Sequence, residues 1–167
     1  MSFNIVLHQP EIPANTGNIG RTCVATGTSL HLIEPLGFRL DERSIKRAGM
    51  DYWEKIDLYR YINYDEFVMA NPGARIWYAT TKAHKCYSDV QFLDGDYIMF
   101  GKESAGIQEV LLVENAEVCI RIPMLDDIRS LNLSNSAAIV LYEALRQTEF
   151  QSMEKMGHLH RLNWKDA

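Results

Sequence analysis

The chain is 167 residues long, 47% hydrophobic and 23% charged, which suits one globular domain with a single sizeable core and excludes a mainly disordered chain. Its 17 Lys and Arg stand against 22 Asp and Glu, a formal net charge of −5. That balance excludes nucleic-acid binding by bulk charge but leaves room for a local basic patch, which two assembled chains could collect on one face.

Residues 3–8 (FNIVLH) read as a strand ended by Pro10 and Pro13. Asn15 or Thr16 is placed to cap a helix running to about Thr26, with Ile19, Cys23 and Val24 on one side. Residues 29–34 (SLHLIE) form a second strand closed by Pro35. Residues 41–49 (DERSIKRAG) read as a short basic helix with Gly49 as its stop. A strand at 55–59 follows, then a helix at 64–70 ended by Asn71, Pro72 and Gly73. Residues 75–80, 96–100 and 117–122 are strands rich in β-branched or aromatic residues, with a helix at 107–113 between the last two. The strongest helix covers 132–151: Leu133, Ala137, Val140, Leu141, Ala144 and Leu145 recur at spacings of three and four, and Ser134 is placed as N-cap.

This alternation predicts an α/β fold, a mostly parallel sheet flanked by helices. A single domain over 1–151 and a polar tail over 152–167 are expected, with no internal repeat. The opening MSFNIVLHQPEIP lacks a basic region followed by a long apolar run, so it does not read as a signal peptide. No stretch approaches the ~18 apolar residues of a membrane span. Cys23, Cys86 and Cys119 form no C-x-x-C pair and suit reduced thiols in the cytoplasm. His8, His31, His84, His158 and His160 show no metal-ligand grouping with carboxylates, so no metal is expected.

Ligands of open α/β sheets sit beyond the carboxyl ends of strands. Three such ends carry unusual residues: Thr80–Thr81–Lys82, GKESAG from Gly101 to Gly106, and the run from Pro123 to Asn132. GKESAG has the two glycines of a phosphate-binding P-loop, but Ile107 and Gln108 stand where Lys and Ser/Thr are needed, so a nucleotide triphosphatase is excluded. No G-x-G-x-x-G occurs, which argues against a Rossmann dinucleotide site. Each piece also has a structural reading: Gly101 and Gly106 as turn glycines, Glu103 as a helix-start carboxylate, Pro123 as a strand end.

Taken together, NTGNIGR (15–21), FGKESAGI (100–107) and IPMLDDIRSLNLSNSAAIVLYEALRQ (122–147) resemble the three motifs of SPOUT RNA 2′-O-methyltransferases. Order and separation agree from residue 3 to about 148. IEPLGF (33–38) and the later KRAGMDYW resemble the compact branch that methylates the wobble ribose of certain tRNAs at cytidine or uridine 34. Gln108 departs from the pattern, standing where a proline often follows the second motif.

The resemblance implies a C-terminal deep trefoil knot, S-adenosyl-L-methionine as methyl donor (S-adenosyl-L-homocysteine as product), tRNA as substrate and a homodimer that completes the active site. It carries over Ala79, Gly101, Ile122 and Ser130 as cofactor contacts, with Thr80 and Leu131 beside them and Glu103 ordering the loops or the cofactor amine. Main-chain groups between apolar walls would hold adenine, and a glycine at 101 would admit close backbone approach.

Arg21 is the expected central catalytic residue. An arginine keeps its proton at neutral pH, so orienting or polarising the 2′-hydroxyl and binding phosphate suit it better than acting as a base. Asn15 and Asn18 are expected to position substrate or Arg21, with a helix-cap role for Asn15 an equal alternative. Arg43, Lys46 and Arg47, near Arg39, are expected on the tRNA backbone, against the alternative of a solvated face salted by Asp41 and Glu42. Arg129 would contact phosphate or pair with Asp126 or Asp127. Tyr142 and Arg146, four apart on one helix face, would meet RNA or a second chain. The competing readings are the same chemistry on ribosomal RNA or another tRNA position, and a non-catalytic nucleotide-binding α/β module.

Overall fold

A computed structural model describes residues 2–40 and 52–164. The strands are β1 (Asn4–His8), β2 (Ser29–Ile33), β3 (Leu58–Tyr61), β4 (Ile76–Ala79), β5 (Tyr97–Phe100) and β6 (Cys119–Ile120). The helices are α1 (Pro13–Thr26), α2 (Tyr64–Ala70), α3 (Glu109–Glu114) and α4 (Leu133–Gln147). One six-stranded sheet runs in the order β3-β2-β1-β5-β4-β6, and every pairing is parallel. All carboxyl ends therefore lie on one edge of the sheet. The order reverses between β1 and β5, the kind of switch point where open sheets leave a crevice.

Strand alternation sorts the core onto two faces. Ile5 and Leu7 of β1 join Leu30, Leu32, Ile98, Phe100 and Ile120 under α1 and α4, which supply Ile19, Cys23, Ala137, Val140, Leu141 and Ala144. Val6 faces the other way and packs with Ile33, Met99, Phe67 of α2 and Leu112 of α3. Burying a side chain of this size contributes about 1.5–3 kcal/mol. At the amino edge, buried Asp96 accepts from Arg75 Nε and Nη2 (2.6 and 2.5 Å), Trp77 Nε1 (2.9 Å) and Leu93 N (2.9 Å), which ties β4 to β5.

Several expected boundaries move. α1 begins at Pro13, a residue suited to a first helical turn, so Asn15 and Thr16 are interior rather than caps. Its end is a left-handed Gly27 (φ 65°), with Thr28 N donating to Cys23 O. β3 lies three residues later than expected, because 53–55 form a 3-10 turn. The run 117–122 gives only a two-residue β6. Beyond Ile120 its partner is no longer β4: Arg121 N donates to Lys85 O and Arg121 O accepts from Tyr87 N. α3 begins at Glu109, with Gln108 at the N-cap position but making no side-chain cap, rather than at Ile107, which is buried in the core. α4 is capped by Asn132, not Ser134, and stops at Gln147. Left-handed backbone at Glu149 and Phe150 ends it, Phe150 N donates to Leu145 O, and the Phe150 ring folds back onto the core. The short basic helix expected at 41–49 falls outside the described residues.

His31 of β2 is 2% exposed. Its Nδ1 is 2.9 Å from Tyr61 Oη and its Nε2 3.1 Å from Asn4 Oδ1, and it stacks on Tyr59 at 4.7 Å between ring centres. Burial lowers its pKa to about 4, against a weaker opposing pull from Asp57. The unfolded chain, with an ordinary histidine value near 6.5, therefore binds the extra proton first as pH falls. Stability contributed by the neutral ring is present above about pH 6.5 and is lost as pH drops toward 4, by up to about 3 kcal/mol. Urea midpoints at pH 7 and pH 4.5 should show this loss. His31→Asn should be less stable at pH 7 and show a smaller drop between the two.

Candidate functional site

A cavity of about 580 Å³ opens at the carboxyl ends of β4, β5 and β6. Its wall is made by the three turns singled out above. Ala79 and Thr80 come from the first turn, Gly101 and Glu103 from the second, and Ile122, Arg129, Ser130 and Leu131 from the third. Every residue carried over as a cofactor contact therefore lines one space. Phe100, Leu133 and Val140 add apolar surface, and Asn15 reaches the cavity from α1. Ile122 packs on the core, whereas Leu131 is 37% exposed and is a wall rather than a core residue.

The glycine at 101 is needed for the path of its own loop. A Cβ there would lie 2.0 Å from Gly106 C and 2.1 Å from Ile107 N. The main chain that approaches closely is the loop's own return. Gly106 takes φ 70° and its N–H donates to Lys102 O at 2.8 Å, closing the turn on itself.

Glu103 is held by α1. Its Oε2 accepts from Glu11 N (2.8 Å), and its Oε1 from Ile12 N (3.2 Å) and Asn15 Nδ2 (3.0 Å). Ile12, the N-cap residue, makes no side-chain cap of its own, so this carboxylate supplies negative charge at the positive end of α1 from 91 residues away. The structural role weighed for Glu103 is the one the geometry displays, at the edge of the cavity. Glu11 returns the contact, accepting from Ser104 N and Ser104 Oγ, both at 2.8 Å. Those two donors hold the Glu11 carboxyl below its ordinary value.

The network continues through Asn15, whose Oδ1 accepts from Asn132 Nδ2 at 2.9 Å. Asn132 Oδ1 in turn accepts from Ser134 N, Ser134 Oγ and Asn135 N. One chain of hydrogen bonds thus joins all three motif segments. Asn132 and Glu11 were not singled out from sequence. Their partners lie 117 and 93 residues away, and no local spacing signals such a contact.

Asn18 and Arg21 do not meet this cavity within one chain. Both are exposed on α1, while Asn15 is buried. The Arg21 guanidinium carbon sits 5.0 Å above the centre of the Tyr52 ring. Arg129 is exposed at the rim, and among the described residues it forms no ion pair with Asp126 or Asp127. Tyr142 is half-exposed on the outer side of α4, its ring centre 6.5 Å from that of Phe150. Glu143 holds one edge of the Arg146 guanidinium, at 2.8 Å from Nε and from Nη2. Arg43, Lys46 and Arg47 lie outside the described residues.

A cavity bordered by three strand-terminal turns at the carboxyl edge of a parallel sheet marks an α/β protein with a place for a small organic ligand. The SpoU rRNA Methylase family model matches residues 2–142, and the chain belongs to that family. It is 48% identical to a tRNA (cytidine(34)-2′-O)-methyltransferase of Saccharophagus degradans over 149 residues, 89% of this chain and 97% of that protein. A solved structure described as "Structural insights into the 2-OH methylation of C/U34 on tRNA" matches with TM-score 0.83 and 42% identity, covering 89% of this chain and 97% of the other. An AdoMet-bound rRNA methyltransferase from Sinorhizobium meliloti matches with TM-score 0.75 and 26% identity, over 87% of this chain and 56% of that one.

Two substitutions test how the cavity wall is built. Glu103→Gln turns an acceptor oxygen into a donor facing N–H groups and should cost about 1–3 kcal/mol in urea unfolding. Gly101→Ala cannot be accommodated without moving the 106–107 backbone, and should lower both the melting temperature and the affinity for S-adenosyl-L-homocysteine measured by calorimetry.

Proposed function

We propose that the chain is an S-adenosyl-L-methionine-dependent tRNA 2′-O-ribose methyltransferase acting on the wobble nucleotide, cytidine or uridine 34. The observation that carries this reading is the single cavity shared by Ala79, Gly101, Ile122, Ser130 and Leu131, in a chain of the SpoU family. The fit to the methyl donor is chemical as well as spatial. The volume of about 580 Å³ suits a ligand of nucleoside size, and Ile122, Leu131 and Leu133 line it together with Gly101 and Ser130. Ala79, Gly101, Ile122 and Ser130 would grip it, Thr80 and Leu131 would flank it, and Glu103 would hold the second turn in place. When bound, the donor supplies an activated methyl group on sulfonium, ready for direct displacement by oxygen.

The protein's task is alignment of the attacking 2′-oxygen. Arg21 donates to that oxygen and to a neighbouring RNA phosphate, and the hydroxyl proton passes to a phosphate oxygen. Asn15 fixes the α1 start against the cavity, and Asn18 lies one turn before Arg21 on the substrate side. Because Arg21 and Asn18 stand outside the cavity of their own chain, we assign the working form as a homodimer in which a second copy brings them to it. The half-exposed Tyr142 and the outer face of α4 suit that contact. Arg129 at the rim, together with Arg43, Lys46, Arg47 and Arg146, supplies the local cations for tRNA. On this reading the run 121–132, which passes the second turn before entering α4, forms the trefoil knot. The domain is assigned to 1–151 with a polar tail after it; among the described residues Met153 still packs against the core and 154–164 are exposed throughout. No helix among the described residues is long and apolar enough to cross a membrane. The expected place of action is the cytoplasm, without a metal.

Incubation with tRNA and labelled donor, followed by nuclease digestion and mass spectrometry, should place the methyl group on the 2′-oxygen of nucleotide 34. Label in ribosomal RNA or at another tRNA position would overturn the substrate assignment. Absence of any S-adenosyl-L-homocysteine binding would overturn the class. Arg21→Ala should bind S-adenosyl-L-homocysteine as tightly as the parent yet lose transfer by about 10²-fold or more.

A further inference from the structure

The segment Tyr52–Ile56 lies against α1 at the turn that carries Arg21. Gly17, Gly20 and Arg21 are three and four residues apart and so share one side of the helix. Two of the three have no side chain, which lets the segment reach the helix backbone. Tyr52 Oη donates to Gly17 O at 2.7 Å. A Cβ on Gly20 would lie 2.7 Å from Ile56 Cδ1 and 3.3 Å from Trp53 Cζ3, so that surface is fully occupied. The Tyr52 ring, fixed at its hydroxyl end by α1, then lies under the Arg21 guanidinium at 5.0 Å from carbon to ring centre. An aromatic face attracts a guanidinium at this distance and favours a limited set of its rotamers.

We infer that Tyr52 is a positioning residue for Arg21: its ring holds the guanidinium in the orientation used on the ribose, and its bond to Gly17 O sets the ring in register with α1. The inference rests on the assignment of Arg21 made above. It also accounts for two features that assignment leaves unexplained, the glycines of the first motif and the aromatic pair Tyr52–Trp53 that closes the basic stretch. Arg21 has four rotatable side-chain bonds and stands exposed on α1, so without such a support its orientation would be reset at each encounter with RNA.

The test is a set of steady-state and binding measurements on the full-length protein. Tyr52→Leu, which keeps apolar bulk but removes the π face, should lower kcat with tRNA about five-fold, the weight of one cation–π contact, and leave S-adenosyl-L-homocysteine affinity unchanged. Tyr52→Phe keeps the ring and should retain most of that kcat. In an Arg21→Ala background, where residual transfer is followed with labelled donor, Tyr52→Leu should have no further effect. Should Tyr52→Leu fail to fold, Tyr52→Met is read in its place. Parental kcat in the folded ring-less variant would overturn the inference, as would an undiminished effect in the Arg21→Ala background. Normal turnover by Arg21→Ala alone would instead remove Arg21 from the mechanism, and the inference with it. That outcome is distinguishable because it is read without any change at Tyr52.

Discussion

The carboxylate of Glu103, held by Glu11 N, Ile12 N and Asn15 Nδ2, is the contact on which the geometry of the cavity depends. It fixes the turn after β5 to the start of α1, two segments that the sheet alone would leave unconnected at its open edge. Asn15 passes the constraint on to Asn132, and Asn132 sets the start of α4. The start of α1, the turn after β5 and the start of α4, from distant parts of the chain, are thereby held at one spacing. Preorganisation of this kind matters because ordering a loop on binding consumes part of the interaction free energy.

The second turn shows how a small residue serves the path of its own loop. Gly101 is irreplaceable because Gly106 and Ile107 return across its Cα. The return is sealed by the Gly106-to-Lys102 hydrogen bond and braced from outside by Glu11 on Ser104. At this turn main chain packs on main chain, which leaves no room for a side chain at 101.

The polar groups divide by environment. His31, Asp96 and Asn15 are buried and their partners are all protein groups. Arg21, Asn18 and Arg129 are exposed around the cavity and on α1. The first set holds the fold and excludes water; the second is available to a large anionic partner. An acidic chain can contact RNA under this arrangement because the cations that matter are local and their reach does not depend on net charge.

The sequence by itself determined the elements and the content of the cavity wall. Period-two and period-3.6 patterns placed β1, β2, β5, α2 and the body of α4, because burial on one face imposes those periods on composition. The resemblance carried by the motif segments pointed to Ala79, Gly101, Ile122 and Leu131, which the fold brings to one cavity. Only the tertiary structure decided the contacts between segments: that Glu103 caps α1, that Asn132 rather than Ser134 starts α4, that Gly101 admits Gly106, and that Tyr52 lies under Arg21. The contacts of Glu103 with α1 and of Tyr52 with Arg21 join residues whose separation along the chain leaves no periodic trace, and the choice of Asn132 and the return of Gly106 across Gly101 follow the path of the backbone, which periodicity does not encode. Position in space, set by the parallel sheet and the packing of α1 on α4, chose among partners that the sequence offered equally.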